Sequence, residues 1–337
     1  MRPRQQDLAT LRLAAQRAVG IGTLLLLVSC GRQAPNGPAL EGAYSARTLA
    51  AAAAPNGALF PLQIGNHWRA VADDYYRTEP LNGPPYNEVR IHTDYARSLI
   101  GTEVLFDRPY VVMEETWTQN NPFTGEPRTG SYWIRYRQDA SGLYEADVAA
   151  TTPPTLDTRN EATTTPSAGT SAMSRMLALS ASLASSIPEE QRSAFQAAWD
   201  KVHARAELVR SVFRKSSPTS NLGNLPNGLL PGEITRLRYP LRPGSKWEIR
   251  PDPLFSSEVE AIEHLSLPAG PFPAYRIRID NEALGPADVV HLWMGRSGQL
   301  AVRFHFEAEA TDSQGNVIGR VIDDYNEVLH EVSLVVP

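Results

Sequence analysis

Phe60-Pro61-Leu62-Gln63-Ile64-Gly65-Asn66-His67-Trp68 returns 179 residues later as Tyr239-Pro240-Leu241-Arg242-Pro243-Gly244-Ser245-Lys246-Trp247. Both copies read aromatic-Pro-Leu-x-x-Gly-x-x-Trp. A repeat of this kind is read before any local motif, because it sets the architecture. The proline holds its predecessor extended, the glycine turns the chain, and the tryptophan starts a strand by placing a large ring in a core. The correspondence continues downstream of each copy. Tyr132-Trp133-Ile134-Arg135-Tyr136 precedes Ser141-Gly142, and His291-Leu292-Trp293-Met294 precedes Ser297-Gly298. Period-two alternation is clear in several strands: Tyr275, Ile277 and Ile279 oppose Arg276 and Arg278, while Val302, Phe304 and Phe306 oppose Arg303, His305 and Glu307. Strands with one dry and one wet face belong to antiparallel sheets.

The expected fold is mainly β with a helical insert, an α+β chain. Two related antiparallel β units, read as curved half-barrel sheets, span 60–148 and 239–337. Residues 149–238 form a Thr/Pro-rich loop, a helical insert and a linker. Within the insert, Met173, Met176, Leu177, Leu179 and Leu183 give one amphipathic run. Pro188-Glu189-Glu190 opens a second, with Phe195, Trp199, Val202, Ala206, Val209 and Val212 at helical spacing. The helices of 172–214 are expected to pack on the sheets.

The N-terminus carries a different message. Arg2, Arg4, Arg12 and Arg17 face a single acid, Asp7, and an apolar stretch from Ala18 to Val28 follows. That is the outline of a secretory signal, and the run is too short to cross a membrane that needs roughly 20 apolar residues. Leu27-Val28-Ser29-Cys30 resembles the lipobox of bacterial lipoproteins, which implies a signal peptide over 1–29, acylation of Cys30 and a flexible tether over 30–59. A cleaved signal without lipid, or an uncleaved anchor, is the alternative. Gly31-Arg32 lacks the aspartate that retains lipoproteins in the inner membrane, which by the same resemblance favours the outer membrane in a two-membrane host. Cys30 is the one cysteine of the chain, so no internal disulfide is possible.

Together, the lipobox, the repeated motif and Leu267-Pro268-Ala269-Gly270-Pro271-Phe272-Pro273-Ala274 resemble a group of uncharacterised bacterial lipoproteins. The resemblance covers about 60–145 and 230–330. It implies a structural signature and says almost nothing of activity.

Composition and motifs narrow the function. The signal's charge of +3 leaves the remainder at −8, against −5 for the whole chain, so nothing attracts a nucleic-acid backbone. No nucleophile elbow, phosphate loop or His-Glu-x-x-His occurs, and no cofactor is expected. His264, His291 and His305 are weighed as a zinc set and read as solvent-facing strand residues. The doublets Asp73-Asp74 and Asp323-Asp324, with Glu114-Glu115, are read as surface acids. Arg135, Arg137, Arg276, Arg278 and Arg303 are candidate anion contacts, with cross-strand pairing to carboxylates as the simpler account. The expected function is a non-catalytic binding or assembly module held at the membrane by its lipid, with an envelope protein, lipid or glycan as partner. The alternatives are a periplasmic carrier or sensor of an amphiphile in a sheet cavity, and a glycan-processing hydrolase with two facing carboxylates.

Overall fold

The computed structural model describes residues 59–122, 125–146, 186–213, 233–251 and 254–335, within a compact unit running from Leu49 to Pro337. Cys30, the signal, the tether up to 58 and the Thr/Pro-rich loop lie outside these residues. So does the first expected helical run.

Twelve antiparallel strands make one sheet. The first six are β1 (His67–Pro80), β2 (Asn87–Leu105), β3 (Arg108–Asn120), β4 (Pro127–Asp139), β5 (Gly142–Ala146) and β6 (Glu233–Arg238). The second six are β7 (Lys246–Pro251), β8 (Leu254–Leu267), β9 (Gly270–Asp280), β10 (Val289–Gly295), β11 (Gly298–Thr311) and β12 (Val317–Ser333). Their order is β6-β5-β4-β3-β2-β1-β12-β11-β10-β9-β8-β7, so each run of six is a meander and the two are sewn together where β1 pairs with β12. The outermost strands, β6 and β7, come close in space without a hydrogen-bonded ladder between them, and the sheet is a nearly closed barrel. Residues 233–238, expected as part of a linker, are instead a strand, paired with β5 from Gly142↔Arg238 to Ala146↔Glu233.

Both motif copies build the same turn. Gly65 and Gly244 take φ of 94° and 84°, a left-handed conformation that favours glycine. Gly65 N–H donates to Leu99 O (2.9 Å) and Leu99 N–H to Asn66 O (3.0 Å). At the second copy Gly244 N–H donates to Val259 O (2.7 Å) and Val259 N–H to Ser245 O (2.9 Å). The register slips just beyond each partner, between Leu99 and Gly101 in β2 and between Val259 and Ala261 in β8. These bulges bend the strands, and bent strands let a wide sheet curl.

Helix α1 (Arg192–Phe213) packs against β11 and β12 on the concave side. Pro188 is extended (φ −51°, ψ 138°) and leads into a single 3-10 turn, Glu189–Gln191, before the helix proper. Phe195, Trp199, Val202, Ala206, Val209 and Val212, the stripe read from the sequence, are all buried. The Trp199 indole donates to Thr78 Oγ1 (3.1 Å), and Phe195 meets Tyr86 edge-on at 5.6 Å. The core is therefore the interior of the barrel, with the helix packed into it.

Candidate functional site

Alternation along β1, β2, β11 and β12 sends Trp68, Ala70, Ala72, Tyr95, Leu99, Val302, Phe304, Tyr325 and Leu329 inward, as apolar burial requires. It also sends charge inward. Arg97 of β2 is buried between two carboxylates: its guanidinium donates to Glu115 of β3 and, at 2.7 Å, to Glu327 of β12. Glu327 also accepts from Tyr325 Oη (2.7 Å) and Gln299 Nε2 (2.8 Å). Burial alone raises the Glu327 pKa, but Arg97's charge and the hydrogen bonds from Arg97, Tyr325 and Gln299 outweigh it and hold the carboxyl below its ordinary value. On β6, Arg236 donates to Glu145 of β5. From the helix, Arg210 reaches Asp323 (3.2 Å) and Asp74 (3.6 Å). Burial pushes the Asp323 pKa up against the pull of Arg210.

Between the helix and the motif end of the barrel lies a cavity of about 90 Å³. That is room for on the order of six waters. Phe60, Ile134, Tyr136, Leu143, Leu237, Leu292, Met294, Val302 and Phe304 form its apolar wall. Arg97, Glu115, Glu327, Arg210 and Arg236, with Tyr95, Tyr132 and Tyr325, form its polar wall. The cavity is thus apolar along one side and polar along the other. Its two lining carboxylates, Glu115 and Glu327, are both bound to Arg97, and Glu327 is driven toward the ionised form that cannot donate a proton.

The residues singled out from sequence fall into other places. Arg135 and Arg137 are buried, not on a wet face. Arg135 donates to Glu103 (2.9 Å), and Arg137 grips Glu233 through both Nε and Nη2 (2.9 Å each) and reaches Asp139 (2.6 Å). Arg137 also stacks over Tyr144 at 4.3 Å, and Tyr110 donates to the same Glu233. On the outer face Arg276 pairs with Glu260 (2.9 Å) and Arg278 with Asp280 (3.5 Å), while Arg303 is exposed. Four of the five arginines thus have carboxylate partners, and the five do not meet in one anion-binding concavity. The acids stand two strands away for Arg135 and Arg137, on the adjacent strand for Arg276, and two positions along the same strand for Arg278.

The acids correct the reading of surface doublets. Asp74 and Asp323 lie mid-strand, face inward and are buried, whereas their neighbours Asp73 and Asp324 face out to His92 (3.1 Å) and His305 (2.6 Å). Glu115 is likewise buried. His291 pairs with Glu260 (3.0 Å), apart from His305, and no group of three or more metal-binding side chains occurs among the described residues. The motif residues Phe60, Trp68, Leu241 and Trp247 are buried structural anchors, with Gly65 and Gly244 at the turns, Pro61 and Leu62 partly covered and Tyr239-Pro240 a cis peptide. Phe60 stacks at 5.7 Å from Trp68 and 5.3 Å from Tyr136, and in doing so forms one end of the cavity. Sequence reasoning missed Arg97, Arg210, Arg236 and Glu327, and read Glu115 as a surface acid. The one available signal was that these charges fall in phase with the apolar positions of their elements.

No family model and no curated protein matches the chain. Among solved structures, one similar chain is described as an exported protein with a YmcC-like fold from Bacteroides fragilis. It has 11% identity, covers 82% of this chain and 99% of its own, and has a TM-score of 0.29. Another is described as a lipoprotein from Parabacteroides distasonis, with 10% identity, 82% and 98% coverage, and a TM-score of 0.25.

Proposed function

We propose that this protein is a non-catalytic binding module of the bacterial cell envelope, anchored through an acylated Cys30, that takes part of a small amphiphile into its barrel. The barrel is read as two related six-strand units, joined at β1–β12 and each opened by one copy of the motif. The observation that carries the binding reading is the interior cavity, apolar on one wall and ion-paired on the other. Each guanidinium on its polar wall already faces a carboxylate, Arg97 two of them, Arg210 Asp323 and Arg236 Glu145. An uncharged or zwitterionic polar end therefore suits it better than a bare ion.

Filling the cavity tests this. Val302 is buried on the cavity wall. Val302→Phe should weaken binding of the hydrophobic fluorophore N-phenyl-1-naphthylamine by about tenfold, which corresponds to about 1.4 kcal/mol. Leu292→Phe fills the same space from the neighbouring strand and should act alike. Wild-type affinity in both folded variants would overturn the reading.

A further inference from the structure

The two motif copies match in turn, glycine conformation and hydrogen bonding, yet their tryptophans differ. The Trp68 indole donates to Ser297 O at 2.6 Å, in the turn between β10 and β11. The corresponding turn between β4 and β5 holds Ser141, but its carbonyl already accepts from Tyr239 N–H (2.8 Å). Trp247 is left 4% exposed, with its indole N–H lacking an acceptor among the described residues. A buried donor without an acceptor bears its full desolvation cost, and such groups in folded proteins call for a specific explanation.

Trp247 also lines an open recess of about 340 Å³, formed with Arg238, Tyr239, Pro240, Arg242, Ser245 and Lys246. Three of these side chains are cations and none is an acid. Lys246 is bound to Glu258 (2.9 Å), which offsets its charge. Arg238 and Arg242 are exposed and make no ion pair among the described residues. The recess sits at the joint between the two sheet edges β6 and β7, and both arginines line it together with Trp247. Tyr239 in addition receives a hydrogen bond from Leu59 N–H (3.3 Å), so the chain enters the barrel from its N-terminal side beside this recess.

We propose that this recess is a binding site for an oxyanion, a phosphate or carboxylate group, that accepts the Trp247 indole N–H and is held by Arg238 and Arg242. Guanidinium groups match the paired oxygens of such anions, and a ring N–H supplies a directed third donor. The site is separate from the interior cavity and does not depend on it.

The test uses the full chain in neutral detergent, labelled with 15N at tryptophan, with the Trp247 indole signal assigned through Trp247→Phe. Titration with inorganic phosphate should move the Trp247 indole proton downfield to saturation and leave that of Trp68 in place. Arg238→Ala and Arg242→Ala should each weaken the response by about tenfold. Vesicles of phosphatidylglycerol, with phosphatidylcholine vesicles as control, separate the sources. A Trp247 shift with phosphatidylglycerol at far lower phosphate concentration identifies a lipid headgroup, and a shift with inorganic phosphate alone identifies a soluble anion. No Trp247 shift in any arm would overturn the proposal, as would a shift of undiminished affinity in both folded arginine variants.

Discussion

Arg97 shows most directly how single residues hold this barrel. It is buried with two carboxylates, one from the next strand and one from β12 on the far side of β1, so it ties β2 across β1 to the end of the chain. Removing one member of a buried ion network strands the charges left behind. Arg97→Ala should therefore cost about 3–5 kcal/mol at neutral pH, read by chemical denaturation. The pH dependence has a definite sign. Glu327's folded pKa lies below its unfolded value, so its contribution is present above the unfolded pKa and is lost as pH falls through the folded one. The deficit of the variant should shrink over that acid range, and a deficit that is constant with pH would contradict the assignment. This network was not legible in the sequence. Alternation identifies the inward face by its majority of apolar residues, and a charge on that face is interpretable only once its partner, 230 positions away, is in view.

At the scale of elements, the helix was the most legible part. Its proline-led start and its stripe from Phe195 to Val212 follow from propensity and period, and every stripe residue is buried. Where it docks was not legible, because docking depends on a residue that has no side chain. A Cβ at Gly319 of β12 would collide with the Glu79 carbonyl oxygen and lie 2.6 Å from Phe195 Cζ. Gly319→Ala should lower stability by about 1–3 kcal/mol. Adding Phe195→Leu should recover only part of this, since the backbone clash remains; full recovery, measured by thermal unfolding, would mean the helix contact alone mattered. Strand β6 escaped sequence reading for a local reason. Its alternation is broken by the register shift opposite Leu143 and Tyr144, so Ile234 and Leu237 fall out of phase.

For the whole molecule, strand alternation pointed to a mainly antiparallel β architecture, and the structure holds its twelve described strands in one sheet. Sequence could not reveal the β1–β12 junction, because nothing in β1 or β12 taken alone names its partner. The proposed anchoring is tested at this scale as well. Cys30→Ala should leave the chain soluble in the envelope or accumulated as precursor, and unchanged fractionation with membranes would refute lipid attachment.

The β1–β12 ladder has a kinetic consequence. His67 pairs with Ser333 and Pro80 with Gly319, so the central seam joins the first strand to the last described one. Contacts so distant along the chain make for slow folding. The sheet cannot be completed before the twelfth strand is synthesised. Until then the edge of β1 that faces β12 has no partner strand.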